Sequence, residues 1–199
     1  MSVDAVVGAI RSGRLAVVPT DTVYGLAANA YLERSVERLY RAKERDRLQP
    51  TALVACDLTM LFECVPELRG RAGKIASALL PGSYTLVLPN PGRRYRWLTG
   101  STPDAIGVRV PDVNGPAQDV LQRLGAFAAS SANARGGPDP RTLDEVPEEI
   151  RAAADAVLDA GPLAGTPSTV LDFTGAEPRV LREGAAPAAE ALRLVAPLI

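Results

Sequence analysis

Short apolar runs, each too brief to make a stable helix, alternate along this chain with segments whose apolar residues recur every three or four positions. That alternation is the tightest constraint on the fold, because strands bracketed by helices bury best as a sheet with helices packed on its faces. Residues 15–18, Leu-Ala-Val-Val, read as a first buried strand, with 51–55, 84–88, 106–110 and 126–129 as further ones. Residues 156–158, 169–172 and 179–181 complete the set.

Between the strands, Val3, Val6, Val7 and Ile10 mark a helix capped by Ser2 and ended at Gly13. Val36, Leu39 and Tyr40 mark a second over 33–43. Leu68, Ala72, Ile75, Ala76 and Leu79 mark a third, closed by Pro81-Gly82, and Ala117, Val120, Leu121 and Leu124 a fourth. The pattern Thr142-Leu143-Asp144-Glu145 predicts a short helix opening at 142, and a final helix follows Pro187. The expectation is a single α/β domain over 1–199, since 199 residues that are 47% hydrophobic suffice for one core.

Two irregular segments stand where strands end, the usual place for a ligand in an open α/β sheet. Residues 19–26 hold Pro, Asp and Gly among hydroxyl side chains and read as a loop, and residues 134–140, rich in Gly and Pro, read as a lid over the site. A third loop, 93–97, gathers Arg93, Arg94, Tyr95, Arg96 and Trp97.

The chain contains no histidine, so imidazole acid–base chemistry and histidine-ligated metals are excluded. Lys43-Glu44-Arg45 delivers two cations at a helix end, and Ser131-Ala132-Asn133 a polar turn at a strand end. Together they suit a phosphate-bearing substrate handled by charge neutralisation and positioning. Arg109, inside an apolar run, needs an exposed face or an anionic partner. The net charge of −1 gives no global argument for nucleic acid. The phosphate-loop, dinucleotide, nucleophile-elbow and kinase signatures are all missing.

Cys56 and Cys64 fit neither a zinc pair nor a redox pair and read as buried free thiols. Met1-Ser2-Val3-Asp4 lacks a signal peptide's basic and apolar segments, and no window reaches the apolar length of a membrane span. A cytoplasmic protein without membrane contact is expected.

Ordered segments along the chain carry a family resemblance. They are Pro19-Thr20-Asp21-Thr22-Val23-Tyr24-Gly25-Leu26, Lys43-x-Arg45, Leu80-Pro81-Gly82-x-Tyr84-Thr85-Leu86 and Gly107-Val108-Arg109-Val110-Pro111. Ser130-Ser131-Ala132-Asn133, Pro167-Ser168-Thr169-Val170-Leu171-Asp172 and Leu181-Arg182-Glu183-Gly184 follow. From residue 5 to residue 186 the chain resembles the YrdC-type threonylcarbamoyl-AMP synthases in their short, single-domain form.

The resemblance implies a twisted mixed sheet with flanking helices enclosing a positively lined cavity. It implies an ATP-dependent nucleotidyltransferase that makes threonylcarbamoyl-AMP and pyrophosphate from L-threonine, bicarbonate and ATP, with Mg2+ on the triphosphate and no dedicated metal ligand. A tRNA threonylcarbamoyl transferase complex would use the product. By the same mapping Lys43, Arg45, Ser131 and Asn133 are catalytic, and Thr22, Tyr24, Arg109 and Ser168 bind threonine. Arg45, Gln49, Thr85, Ser131 and Arg182 bind the nucleotide.

The chain departs from the family pattern at Glu44, Asp46 and Gln49, where acids flank both cations and Gln49 replaces a lysine or asparagine. Two alternatives stay open at this point. One is a YciO-type relative, and the other an RNA-binding module of the same fold that contacts tRNA or double-stranded RNA weakly through 93–97.

Overall fold

The computed structural model describes residues 1–199, and a mixed nine-stranded sheet runs through its centre. In chain order the elements are α1 (Val3–Arg11), β1 (Ala16–Pro19), β2 (Tyr24–Ala28), α2 (Glu33–Ala42), β3 (Ala52–Ala55), α3 (Leu58–Cys64), α4 (Arg71–Leu79) and β4 (Tyr84–Pro89). They continue with β5 (Ala105–Arg109), α5 (Gly115–Leu124), β6 (Ala126–Ser131), α6 (Glu148–Ala153), β7 (Ala156–Val157), β8 (Thr169–Asp172), β9 (Arg179–Arg182) and α7 (Ala188–Val195). The strands lie in the order β7-β1-β2-β6-β3-β5-β4-β8-β9. Pairs β1–β7, β3–β5 and β4–β8 are parallel, and the others antiparallel. The α/β class expected from the alternating pattern is the one that forms.

Three local expectations differ. Residues 24–28 are a strand, not loop, because Tyr24 through Ala28 pair with both β1 and β6, which leaves only 20–23 as the turn. Residues 58–64 make a helix that the apolar spacing did not reveal; its signal was Asp57, whose side chain caps Met60 N–H at 2.7 Å. The helix expected at 142 does not open there. Pro147 keeps Val146 out of helical backbone, so 142–147 forms turns and α6 begins only after the proline.

One face of the sheet is covered as far as β8, while the edge strand β9 stays exposed. Leu26, Leu53, Leu86, Leu88, Ile106 and Val108 are buried there in the larger core cluster, with α2 and α4 against the sheet and α7 packed on α4. Each such side chain contributes about 1.5–3 kcal/mol on burial. The other face is covered at one end only, where α1 and α5 pack together over Ala16, Val18, Ala27, Val54 and Phe127. Beyond them β4 reads as alternation between two environments: Tyr84, Leu86 and Leu88 are buried, while Thr85, Val87 and Pro89 are half-buried. Of these, Thr85 and Val87 look into a hollow.

The chain returns to that hollow through Gly184. Its N–H donates to Thr169 Oγ1 at 2.9 Å, and a Cβ there would stand 2.2 Å from Pro167 O. Gly184→Ala is expected to cost about 1–3 kcal/mol by pushing β9 off β8. Urea denaturation should show this against Gly175→Ala, whose Cβ meets nothing nearer than 3.6 Å; equal stability of the two variants would remove the packing claim.

Candidate functional site

The hollow has a volume of about 500 Å3 and lies over the uncovered part of the sheet, with walls from the turn 20–23, the ends of β6 and β8, and β9. Thr20 builds the turn. Its hydroxyl donates to Val23 O at 2.7 Å and accepts from Thr22 N and Val23 N, both at 3.2 Å. This closes the corner between β1 and β2 with a side chain instead of a longer loop. Thr22 Oγ1, 3.0 Å from Thr20 Oγ1, is carried to the wall.

Arg109 ends β5 on the same side and is 9% exposed. Its Nη2 donates to Asp21 Oδ1 at 2.6 Å and lies 3.4 Å from Thr22 Oγ1, while Nε has no partner. Ser83 Oγ donates to the other Asp21 oxygen at 2.8 Å, which fixes the carboxylate. Burial pulls the guanidinium down from its ordinary range and Asp21 pulls it back. Arg109 thus has the ion pair a buried cation needs and still keeps a donor unengaged.

Lys43 and Arg45 meet the Ser130–Asn133 segment, as expected, but in different ways. Lys43 is 6% exposed, and its ammonium donates to Asn133 Oδ1 at 2.8 Å, Asn133 O at 3.0 Å and Ser131 O. Those three acceptors match the three N–H donors of an ammonium. Asn133 Oδ1 also accepts from Ser131 Oγ at 2.7 Å, and its amide donates to Gly137 O at 2.8 Å. Lys43 and Asn133 therefore form a knot behind the wall, and Ser131 presents the wall itself. Arg45 faces the hollow and donates to Ser130 Oγ at 2.9 Å and to Pro50 O at 2.5 Å. Burial, with Arg45 beside it, lowers Lys43 from 10.5 to about 8.

Glu44, between the two cations, has φ of 47° and is exposed, as is Asp46. Their charges point into solvent. Gln49 is exposed too and lines no part of the hollow; its backbone N–H donates to Asp46 O at 3.0 Å and its backbone oxygen accepts from Tyr40 Oη at 2.8 Å. A nucleotide contact from Gln49 is not what this geometry offers.

Opposite Arg109, Ser168 Oγ lies 2.8 Å from Thr85 Oγ1, and Arg182 donates to Ser168 O at 2.8 and 3.1 Å. Thr85, Ser168 and Arg182 all line the hollow. Tyr24 does not. Strand alternation sends its side chain to the opposite face, where it is fully buried and its hydroxyl donates to Asp159 Oδ1 or Gly161 O, both at 2.9 Å. Its backbone N–H holds Pro140 O at 2.9 Å. The loop 134–140, expected as a lid, contributes no wall residue and is tied down by Tyr24 and Asn133. Thr20, Asp21 and Ser130 fell inside site segments named from the sequence but were given no role of their own, although Asp21 stands beside Thr22 as the one acid of its turn.

Outside the hollow, Arg93 pairs with Asp104 at 2.8 Å and Arg94 with Glu67 at 2.7 Å. Trp97 Nε1 donates to Ala30 O at 2.8 Å. The 93–97 loop uses its polar groups largely on the fold.

A mixed α/β sheet with a hollow walled by arginines and hydroxyls accompanies a match to the family described as telomere recombination, Sua5/YciO/YrdC, whose model covers residues 8–184. The chain belongs to that family. It is 34% identical over 194 residues to a threonylcarbamoyl-AMP synthase of Pyrococcus abyssi, covering 94% of this chain and 55% of that one. It is 32% identical over 169 residues to a threonylcarbamoyl-AMP synthase of Pseudomonas fluorescens, covering 82% and 88%. Among solved structures, P. abyssi Sua5 complexed with L-threonine superposes with a TM-score of 0.88 at 33% identity, covering 97% of this chain and 57% of that one. Escherichia coli YciO superposes at 0.82 with 27% identity, covering 99% and 92%. The chain thus spans a little over half the length of the P. abyssi proteins it matches.

Tyr24→Phe removes the hydroxyl that also accepts from Ala160 N at 3.0 Å. A loss of about 1–2 kcal/mol in urea denaturation, with faster protease cleavage within 159–165, is the expected result; unchanged cleavage would free Tyr24 from that role. For Lys43 the folded group releases its proton near pH 8 and the unfolded one near 10.5. Between those values unfolding takes up a proton, so its contribution makes stability rise with pH; the burial penalty is full below 8 and relieved by 10.5. Relative to Lys43→Met, the parent should gain stability between about pH 8 and about pH 10. A flat difference in paired denaturation curves would rule the lysine out as the titrating group.

Proposed function

We propose that this chain is an L-threonylcarbamoyl-AMP synthase, a nucleotidyltransferase that uses ATP to make threonylcarbamoyl-AMP and pyrophosphate for threonylcarbamoyladenosine modification of tRNA. The observation that carries the reading is the meeting of Arg45, Arg109 and Arg182 with the hydroxyls of Thr22, Thr85, Ser131 and Ser168 around one hollow. Ligand pockets commonly have volumes of about 300–1,000 Å3. Membership of a family that includes synthases supports the same conclusion.

The reaction needs three binding functions. The amine of L-threonine attacks a carbon dioxide equivalent from bicarbonate, and an oxygen of the resulting carbamate attacks the α-phosphorus of ATP, expelling pyrophosphate. Arg109 takes the α-carboxylate through the part of its guanidinium that lines the hollow, a planar match a lysine lacks. Thr22 and Ser168 flank the amino acid. Arg45 and Arg182 counter charge that accumulates on the phosphates as the new bond forms, and the partly enclosed hollow strengthens both. Ser131, held at its backbone oxygen and hydroxyl by Lys43 and Asn133, sets the position of the reacting groups.

Magnesium enters as part of the substrate, carried by triphosphate oxygens and water. Asp21 and Asp172, the carboxylates nearest the hollow, are already paired with Arg109 and Arg179. The adenylate is then passed to the transferase system that modifies tRNA. No helix is long and apolar enough to cross a membrane, and both cysteines are free. A reducing cytoplasm is the proposed setting, and 1–199 acts as one unit.

Purified protein given MgATP, L-threonine and bicarbonate should yield the mixed anhydride and pyrophosphate by mass spectrometry. Arg45→Ala and Asn133→Ala should each lower turnover ~100-fold or more with the fold intact. Arg109→Lys should raise KM for threonine about 10-fold. No anhydride from the parent, or full turnover in both alanine variants, would overturn the reading.

A further inference from the structure

Two glycines line the hollow, Gly25 and Gly107, and neither is required by the backbone. Neither has a positive φ. A Cβ on Gly25 would meet nothing nearer than Ser130 O at 3.5 Å. On Gly107 it would meet only Ala52 Cα and Thr85 Cγ2, both at 3.9 Å. At Gly100 and Gly184, by contrast, a Cβ would strike backbone oxygens at 2.3 and 2.2 Å. Glycine inside a strand is less stable than alanine, since it loses more freedom on folding and packs nothing. The fold therefore does not account for Gly107, whereas the space above it does.

That space has a particular character. Gly107 pairs with Val87 on one side and lies beside Ala52 of β3 on the other, and Ala105 lies two residues earlier on the same face of β5. None of these side chains carries a polar atom, so this part of the floor cannot satisfy a phosphate oxygen or a carboxylate. A flat apolar floor edged by the Thr85 hydroxyl fits a planar ring. Arg109 stands two residues along the strand, about 6–7 Å away, so a carboxylate held there leaves the floor free.

We propose that Gly107 determines nucleotide acceptance: its missing side chain leaves the floor on which the purine face of ATP lies. The inference rests on the synthase reading and assigns a residue to one substrate within it. Gly107→Ala and Gly107→Val fill the space stepwise without meeting backbone closer than ordinary contact at Cβ.

The test is calorimetric titration of parent and both variants with ATP, inorganic triphosphate and L-threonine separately, alongside thermal melting. Gly107→Ala is expected to melt at or above the parent temperature while binding ATP more weakly. Gly107→Val should weaken ATP ~10-fold or more. Inorganic triphosphate and threonine should bind all three proteins alike. Equal ATP affinity across the series overturns the proposal, as does a parallel loss of threonine or triphosphate, or a melting temperature lowered by alanine. A parent that binds no ATP brings down the synthase reading instead; a parent that binds it and a valine variant that matches it bring down only the role of Gly107.

Discussion

The sheet has nine strands, and α1 and α5 cover only one end of its second face. Everything at the site follows from that shortfall. The first face buries leucine, isoleucine and valine from strand after strand, so the fold is secured without help from the second. Strand alternation then places Thr85, Val87, Gly107 and Arg109 on a surface that no helix claims. A sheet buried on both sides would have used those positions for core residues.

Placing cations beside such a surface is costly, and the chain offsets the cost in two ways. Arg109 keeps Asp21 as a counter-ion on one side of its guanidinium, and Ser83 holds that carboxylate in turn. Losing one member of a pair so buried typically costs about 3–5 kcal/mol. Lys43 is satisfied by oxygens of a single turn, which neutralise nothing but use every donor. The two devices divide the labour: Asp21 leaves part of its cation open to a ligand, while the Ser131–Asn133 turn encloses its own.

Fold class was legible because β4, β5, β6 and β8 carry short apolar runs flanked by Gly and Pro, and because α1, α2, α4 and α5 repeat their apolar residues at helical spacing. Residues 24–28 misled because Gly25 and the nearby Asp21 and Pro19 are turn residues, although two neighbouring strands were available to pair with them. Pro147 overrode a capping pattern by a purely local clash. At the site, motif membership brought Lys43, Arg45, Ser131 and Asn133 together correctly, yet no one-dimensional pattern says which of them faces the hollow. That depends on the phase of strand and turn, which also sent Tyr24 to the far side from its neighbours Val23 and Gly25. The roles of Asp21 and Ser130 were hidden because their partners, Arg109 and Arg45, lie 88 and 85 positions away.

Glu44 takes a left-handed backbone that glycine adopts more easily. That one reversed residue turns the chain so that successive odd positions diverge, Lys43 inward and Arg45 toward the opening. Its own side chain, facing water, has no part in either task. Drift in side-chain identity at 44 is therefore cheap so long as the bend survives, while its neighbours are bound to charge, length and direction at once. The middle of the motif is a hinge pin, free to change its face but not its angle.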